Sequence, residues 1–481
     1  MKPMHAQPLY QRLAEYYRDA IQSGALPPAA RMPSVRAMVR THHVSLSTAL
    51  QVCRRLEDDG LVEARPRSGY FVRRAAAPRL APATEPDMRA PADPARYVGI
   101  HDRVSNFVAR CEQHALSTNF ALAAAEPSAY PQHALRQAMS RVLRMNPELL
   151  TSRAPPQGAL ELRTVLARRA LDCGIRATAQ DILVTHGCIE ALNLALRAVS
   201  RPGDTIAVES PTYFGLLQIL ESLGLRALEI PTSPQRGLSV DALELALRTQ
   251  AGIRAVVVVP NLQNPLGCIM PDEDKQRLLE VCVAHGAALI EDDTYGALAD
   301  GGPHRAIKHW DRAGDVIYCS SLHKTLAPGM RLGWIMGGRW QARVDMLKFA
   351  QSRPNEATGQ LAAASYMATK AFDRHLARLR RQLTQQRQWV ADAIAREFPA
   401  GTRLSLPPGG MLLWVELPGG VSGMAVFEAA LGAGIRVAPG AMFSNSGRYD
   451  HYLRLSCAEP DSARIEQAVR RLAAIVAALQ K

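Results

Sequence analysis

The run "SLHKTLAPGMRLGW", Ser321 to Trp334, sets a lysine seven residues ahead of an arginine in a chain that holds only seven lysines against fifty arginines. An ammonium kept at Lys324 is open to three readings: a solvated surface charge, a nucleotide-phosphate contact, or an amine that condenses with a carbonyl. The chain has no GxxxxGK[ST] run for a nucleotide, no HExxH or other close ligand grouping among its thirteen histidines for a metal, and no GxSxG for a hydrolytic serine. For the carbonyl reading, the neutral form of Lys324 attacks an aldehyde and forms a Schiff base.

Other short runs carry groups that an aromatic aldehyde phosphate requires. Ser321 and Arg331 can hold a phosphate, arginine offering a rigid donor fork. In "THGCIEAL", Gly187 and Cys188 fall at a strand-to-helix turn whose free amides suit the same phosphate. Asp292 in "EDDTYG" can pair with a protonated ring nitrogen, keeping the ring an electron sink. Tyr295 and Asn264, the latter in "NLQNPLG", can donate to a phenolic oxygen beside the imine, and Tyr213 in "ESPTYFG" can stack on the ring face. Together these are the needs of pyridoxal 5'-phosphate. Taken singly, Lys324 reads as a surface charge, Asp292 as a helix cap, Asn264 before Pro265 as a turn and Tyr213 as core packing.

The elements that must position these groups alternate. "DILVTHG", "DTIAVES", "LRALEIP", "IRAVVVVP", "GAALIEDD", "DVIYCSS" and "RLGWIMG" read as strands, with helical stretches at Cys188–Val199, Tyr213–Leu223 and Asp272–His285 between some of them. Apolar runs such as "AVVVV" predict strands covered on both faces, hence a largely parallel α/β sheet. Ligands of such sheets settle beyond the carboxyl ends of the strands, where the residues above can converge. From about residue 350 the chain predicts arginine-rich helices and then "MLLWVEL", "GIRVAPG" and "YLRLSCA" as strands of a smaller α+β subdomain, approximately 350–481.

A separate domain precedes this one. Leu9, Leu13, Tyr17 and Ile21 recur at helical spacing, Ser34 caps a short second helix, and Ser45 caps a third whose apolar face is Ala49, Val52, Cys53 and Leu56. "DGLVEARPRSGYFV" then predicts a hairpin with Arg65, Arg67 and Gly69 at its tip. Two short helices joined by a tight turn are the helix-turn-helix, which seats its second helix in the major groove of DNA. Ser45, Ser47 and Thr48 lead that helix, Arg31 and Arg36 flank it, and a small helical interaction module is the alternative. Net charge is +13 over 481 residues, a balance that suits a polyanion. "AAAPRLAPATEPDMRAPADP", with five prolines in twenty residues, predicts an extended, semi-stiff spacer. The expected division is 1–74, a linker 75–100, and 101–481. Eight scattered cysteines, an N-terminus without a signal-peptide core and no eighteen-residue apolar run predict a reduced, cytoplasmic protein with no membrane span.

Residues 9–73, through "RMPSVRAMV", "VSLSTALQVCRRLEDDGLV" and "RPRSGYFV", resemble a GntR-type winged helix-turn-helix. Residues from about 101 to 478, through "PNLQNPLG", "EDDTYG", "SLHKTLAPGMRLGW" and "YLRLSCAEP", resemble a fold-type I aminotransferase. The fusion is similar to the MocR subfamily of GntR regulators. That resemblance implies a transcription regulator, bound to double-stranded DNA as a homodimer with head-to-tail, domain-swapped packing, that senses an amino compound or pyridoxal phosphate by exchange at Lys324. The alternative it leaves is an aminotransferase with physiological turnover between an amino acid and a 2-oxo acid. It further implies that Lys324 carries the cofactor, that Asp292, Tyr295, Asn264, Ser321, Arg331 and Tyr213 hold it, and that Arg454 takes an α-carboxylate, where Arg454 alone reads equally as a salt-bridge residue. In the winged helix Arg36, Ser47, Thr48 and Gly69 fall in DNA-contact regions. Two positions depart from the family's pattern: His323 precedes the lysine where a small polar residue is common, and Cys188–Ile189 stand where a polar pair is common.

Overall fold

The computed structural model describes residues 8–23, 25–27, 30–65, 68–72 and 79–480. It forms two compact units, Met1–Arg79 and Leu80–Lys481. Among the described residues no helix is long and apolar enough to cross a membrane.

The first unit has helices Leu9–Gln22, Val35–His42 and Leu46–Asp58, then strands Val62–Arg65 and Gly69–Val72 paired antiparallel with Val62 opposite Val72. Ser34 accepts from the Ala37 amide and Ser45 from the Thr48 amide, satisfying donors that the first helical turns leave free. His43, in the left-handed region at φ 51°, ends the second helix and turns the chain into buried Val44. Leu13, Tyr17, Met38, Ala49, Val52, Cys53, Leu56, Val62 and Val72 close one core. Leu9, first in the expected apolar stripe, is instead 52% exposed.

In the second unit all seven expected strands lie in one sheet. Their order is Arg226–Ser233, Thr205–Ser210, Ile253–Val258, Ala288–Asp292, Val316–Ser321, Gly333–Met336 and Leu183–Thr185. Neighbours are parallel except around Gly333–Met336, which runs against both of its partners. The apolar runs are buried on both faces, as Ile206, Val208, Val256, Val258, Leu289 and Ile290 show. Helices begin at Cys188, Phe214 and Asp272, so Tyr213 caps its helix rather than belonging to it.

A second sheet of four antiparallel strands, Arg403–Ser405, Leu412–Glu416, Tyr452–Ser456 and Ala438–Pro439, packs on helices Lys370–Glu397 and Ser462–Leu479. "GIRVAPG" is two short strands, the first, Ile435–Arg436, pairing parallel with Thr118–Asn119. Residues up to Phe120 thus join this smaller subdomain: Cys111 and Phe120 lie in its core, and Phe107 stacks on Phe427 with centroids 4.9 Å apart. Helix Ala357–Met367, expected in the smaller subdomain, packs instead on Gln132–Met145 and Leu160–Ala170.

The expected linker 75–100 differs most. Its first residues, through Pro78, lie outside the described residues. From Leu80 onward it is a strap fastened to the second unit, because an extended chain keeps its backbone groups free to pair. The Ala83 amide donates to Ser405 Oγ at 3.1 Å and the Thr84 amide to Glu416 at 2.7 Å. Ser233 Oγ donates to Glu85 at 2.6 Å and Ser239 Oγ to the Met88 carbonyl at 2.6 Å. Arg96–Tyr97 then pairs with the edge of the large sheet at Arg226 and Ala227.

Candidate functional site

Six of the strands point their carboxyl ends to one side, and Gly333–Met336 starts there. Gly187, Cys188, Tyr213, Asn264, Asp292, Tyr295, Ser321, Lys324, Arg331 and, from the smaller sheet, Arg454 all line one cavity of about 270 Å³. Ten residues drawn from between Gly187 and Arg454 are brought together.

Lys324 Nζ sits 5.4 Å from the Tyr295 ring centroid and donates to the Ala123 carbonyl at 2.5 Å. Burial, with the Arg454 charge added, pushes its ammonium down to about 7. A lysine so depressed has a large share of its neutral, nucleophilic form near pH 7. We expect capture of an aldehyde by the cofactor-free protein to accelerate from pH 6 to pH 8 and level above it. Stopped-flow absorbance with pyridoxal phosphate measures this midpoint, where a solvated lysine would keep accelerating beyond pH 9.

Behind the lysine, Asp292 is buried on the central strand Ala288–Asp292. Its Oδ1 accepts from the Thr294 amide at 3.0 Å, Thr294 Oγ1 at 2.6 Å and Cys188 Sγ at 3.3 Å. All three fall on one oxygen, so Oδ2 keeps its acceptor capacity for a group in the cavity. Sequence reasoning set Cys188 at a phosphate, yet its thiol faces Asp292. Burial and the neighbouring carboxylate push that thiol well up, so it stays a donor.

The cavity end at Gly187 and Arg331 is built largely from backbone. Gly187 has φ 80°, and a Cβ there would lie 3.2 Å from Arg331 Nη2. Gly333 lets the next strand pass so close that its own Cβ would fall 2.5 Å from the Gly187 carbonyl carbon. The helix Cys188–Val199 thus opens its first-turn amides and positive dipole end onto the cavity beside the Arg331 guanidinium. That helix is pinned by a pair the sequence did not disclose: buried Lys348 donates to Glu190 Oε2 at 2.7 Å and to Asn355 at 3.0 Å. His323, which departs from the family pattern, lies 3.5 Å from Arg331 Nη1, and burial with the Lys324 and Arg331 charges pushes it down to about 4.

Opposite, Arg454 is 2% exposed on the strand Tyr452–Ser456. It donates to Asn264 Oδ1 at 3.3 Å and to the Ala121 carbonyl, leaving Asn264 its Nδ2 donors. Its Nε has no partner, and no carboxylate pairs with it among the described residues. Burial of the Tyr295 phenol pushes its pKa up, so it remains a donor. Tyr213 lies over Gly215, where a Cβ would meet its ring at 2.5 Å. The residues present therefore fit an aromatic aldehyde phosphate bearing a basic ring nitrogen, with a carboxylate beside it.

In the first unit, Ser45 Oγ lies 2.8 Å from both Ser47 Oγ and Thr48 Oγ1 at the exposed start of Leu46–Asp58. Arg31 bridges to Phe71 and runs past Gly69, a Cβ at which would sit 3.7 Å from Arg31 Nε. Arg31, Arg36, Ser45, Ser47 and Gly69 are exposed. Arg67 lies outside the described residues.

Comparison with known proteins adds to this geometry. The family of bacterial regulatory proteins, gntR family, matches residues 9–72, and aminotransferase class I and II matches residues 115–472. The uncharacterized HTH-type transcriptional regulator YjiR of Escherichia coli is 38% identical, over 96% of this chain and 97% of that one. The probable rhizopine catabolism regulatory protein MocR of Rhizobium meliloti is 28% identical, over 90% of this chain and 86% of its own length. Among solved structures, LysN, the alpha-aminoadipate aminotransferase of Thermus thermophilus complexed with N-(5'-phosphopyridoxyl)-L-leucine, superposes with a TM-score of 0.71 at 28% identity, covering 78% of this chain and 95% of that one.

Proposed function

Because the chain belongs to the MocR subfamily of GntR-type regulators, a winged helix-turn-helix joined to a class I and II aminotransferase domain, we propose that it regulates transcription by sensing an amino compound through bound pyridoxal 5'-phosphate. When bound, the cofactor supplies an aldehyde that condenses with amines and a ring that draws electrons from them. Lys324 would hold it, Asp292 Oδ2 would serve its ring nitrogen, Asn264 and Tyr295 would donate to its phenolic oxygen, and Tyr213 would cover its ring. Ser321, Arg331 and the amides at Gly187 and Cys188 would take the phosphate. Arg454 would take the carboxylate of an amino ligand that competes with Lys324.

The observation that carries the regulator over the aminotransferase reading is end-to-end similarity to a regulator, DNA module included. Two copies of the chain would offer paired recognition helices to an operator, with Ser45, Ser47, Thr48, Arg31 and Arg36 at phosphates and base edges. The strap supports a route between ligand and DNA. It is bonded at once to Ser405 and Glu416 of the small sheet and to Ser233 and Ser239 of the large domain. Any shift of one subdomain on the other pulls on the segment that leads to the winged helix.

Operator binding by the cofactor-loaded full chain, followed by fluorescence anisotropy alongside the cofactor's visible absorbance, tests the proposal. Amino ligands are expected to change both signals over the same concentration range. An operator affinity that ignores cofactor removal and every amino ligand, or steady turnover of amino and 2-oxo acids at ordinary transaminase rates, rejects it.

A further inference from the structure

Two of the residues that would hold the cofactor, Tyr213 and Asn264, stand on separate loops. These loops follow the neighbouring parallel strands Thr205–Ser210 and Ile253–Val258. Leu262, two residues before Asn264, is buried with φ 58°, a left-handed conformation that a leucine seldom adopts. Such a conformation persists only where the surroundings impose it. The backbone that carries Asn264 is therefore held from outside its own loop.

Gln263 supplies that hold. Its buried side chain crosses to the other loop, where Nε2 donates to the Pro211 carbonyl at 2.8 Å, two residues before Tyr213. Nε2 also donates to Glu209 Oε2 at 3.2 Å, and Oε1 accepts from the Leu266 amide at 2.8 Å, which closes Gln263's own loop. Glu209, buried one residue before the end of Thr205–Ser210, accepts from the Val259 amide at 3.1 Å through the same Oε2. Its Oε1 has no partner, and burial pushes the carboxyl up to about 8, so at neutral pH it serves chiefly as an uncharged acceptor. Neither Gln263 nor Glu209 lines the cavity.

We infer that Gln263, with Glu209 as its acceptor, is a positioning residue that fixes Asn264 and Tyr213 relative to one another, an inference that rests on the reading above. Both act through residues that would touch the cofactor and touch nothing of it themselves. Gln263→Leu keeps the bulk but leaves the Pro211 carbonyl and the Leu266 amide without this partner, so the two loops lose their common tie.

The test loads the full chain with pyridoxal phosphate and reads two quantities, the cofactor's affinity and the pH midpoint of its visible band. A donor on the phenolic oxygen favours the form in which the nitrogen joined to Lys324 has lost its proton, so losing Asn264's bond raises that midpoint. Gln263→Leu is expected to weaken the cofactor by roughly tenfold and to raise the midpoint. Added to Asn264→Ala, it should move the midpoint no further, which a general loss of packing would not reproduce. Glu209→Leu should copy both changes, and Glu209→Gln, which restores an uncharged acceptor, should recover most of the affinity. An unmoved midpoint in Gln263→Leu, a further rise on top of Asn264→Ala, or a Glu209→Gln chain as weak as Glu209→Leu overturns the inference. Should Gln263→Leu not fold, Gln263→Asn, with its amide drawn back by one methylene, is read by the same measures. Two unfolded variants also overturn it, because Gln263 would then hold the domain rather than the two loops. A wild-type chain with no borohydride-fixable cofactor sinks the underlying reading instead, so the two failures are distinct.

Discussion

Lys324→Ala is expected to abolish borohydride-stable attachment of pyridoxal phosphate and with it every operator response to amino compounds, while operator affinity itself persists. No other primary amine lines the cavity among the described residues. Lys348 is tied to Glu190, on the helix Cys188–Val199, and to Asn355. Lys275 is buried against Asn261 and the Arg305 carbonyl. Neither can substitute, and Lys324→Arg would keep the charge without a nucleophile. The winged helix has a core of its own, so its fold does not depend on this amine. Intact-mass spectrometry after borohydride reduction reads the first expectation, and anisotropy with and without ligand reads the second. A fixed adduct surviving in the alanine variant would place the cofactor's attachment elsewhere.

How much of this was legible beforehand depends on the range over which each signal acts. The seven sheet strands were readable because each carries a short apolar stretch bounded by polar or turn residues, and the winged helix because Ser34 and Ser45 cap where they stand. Both signals are local. The convergence of Lys324, Asp292, Tyr295 and Asn264 was legible because strand ends impose it whatever the loops do. What escaped is paired across distance. Nothing near Pro82 or Pro86 says that Ala83 will meet Ser405 or that Glu85 will meet Ser233, so a docked strap read as a free spacer. Cys188 read as part of a phosphate turn because its backbone position is local, whereas the direction of its thiol depends on Asp292, far along the chain. Ala121 and Ala123 carry no chemical signal at all; their carbonyls matter only because Arg454 and Lys324 reach them.

Arg454 shows what an incomplete site costs and where the largest loss of ligand affinity is expected. A guanidinium buried to 2% exposure without a carboxylate has forfeited its hydration for hydrogen bonds to one amide oxygen and one carbonyl, and burial pushes its pKa down. An arriving carboxylate supplies the missing counter-charge and can engage the planar fork with two bonds. Hydrogen bonds to charged groups contribute about 1.5–3 kcal/mol each, so Arg454→Gln is expected to weaken an amino-acid ligand by roughly a hundredfold or more. Arg454→Lys, which keeps a charge but loses the fork, should fall between. The same substitutions should leave cofactor binding and the unliganded protein's melting temperature nearly unchanged, since glutamine removes an unpaired charge rather than half of an ion pair. Isoamylamine, having no carboxylate, should bind wild type and variant alike. Absorbance titration of the loaded protein with L-leucine and isoamylamine separates these outcomes: equal losses for both ligands would mean that Arg454 shapes the cavity without reading the carboxylate.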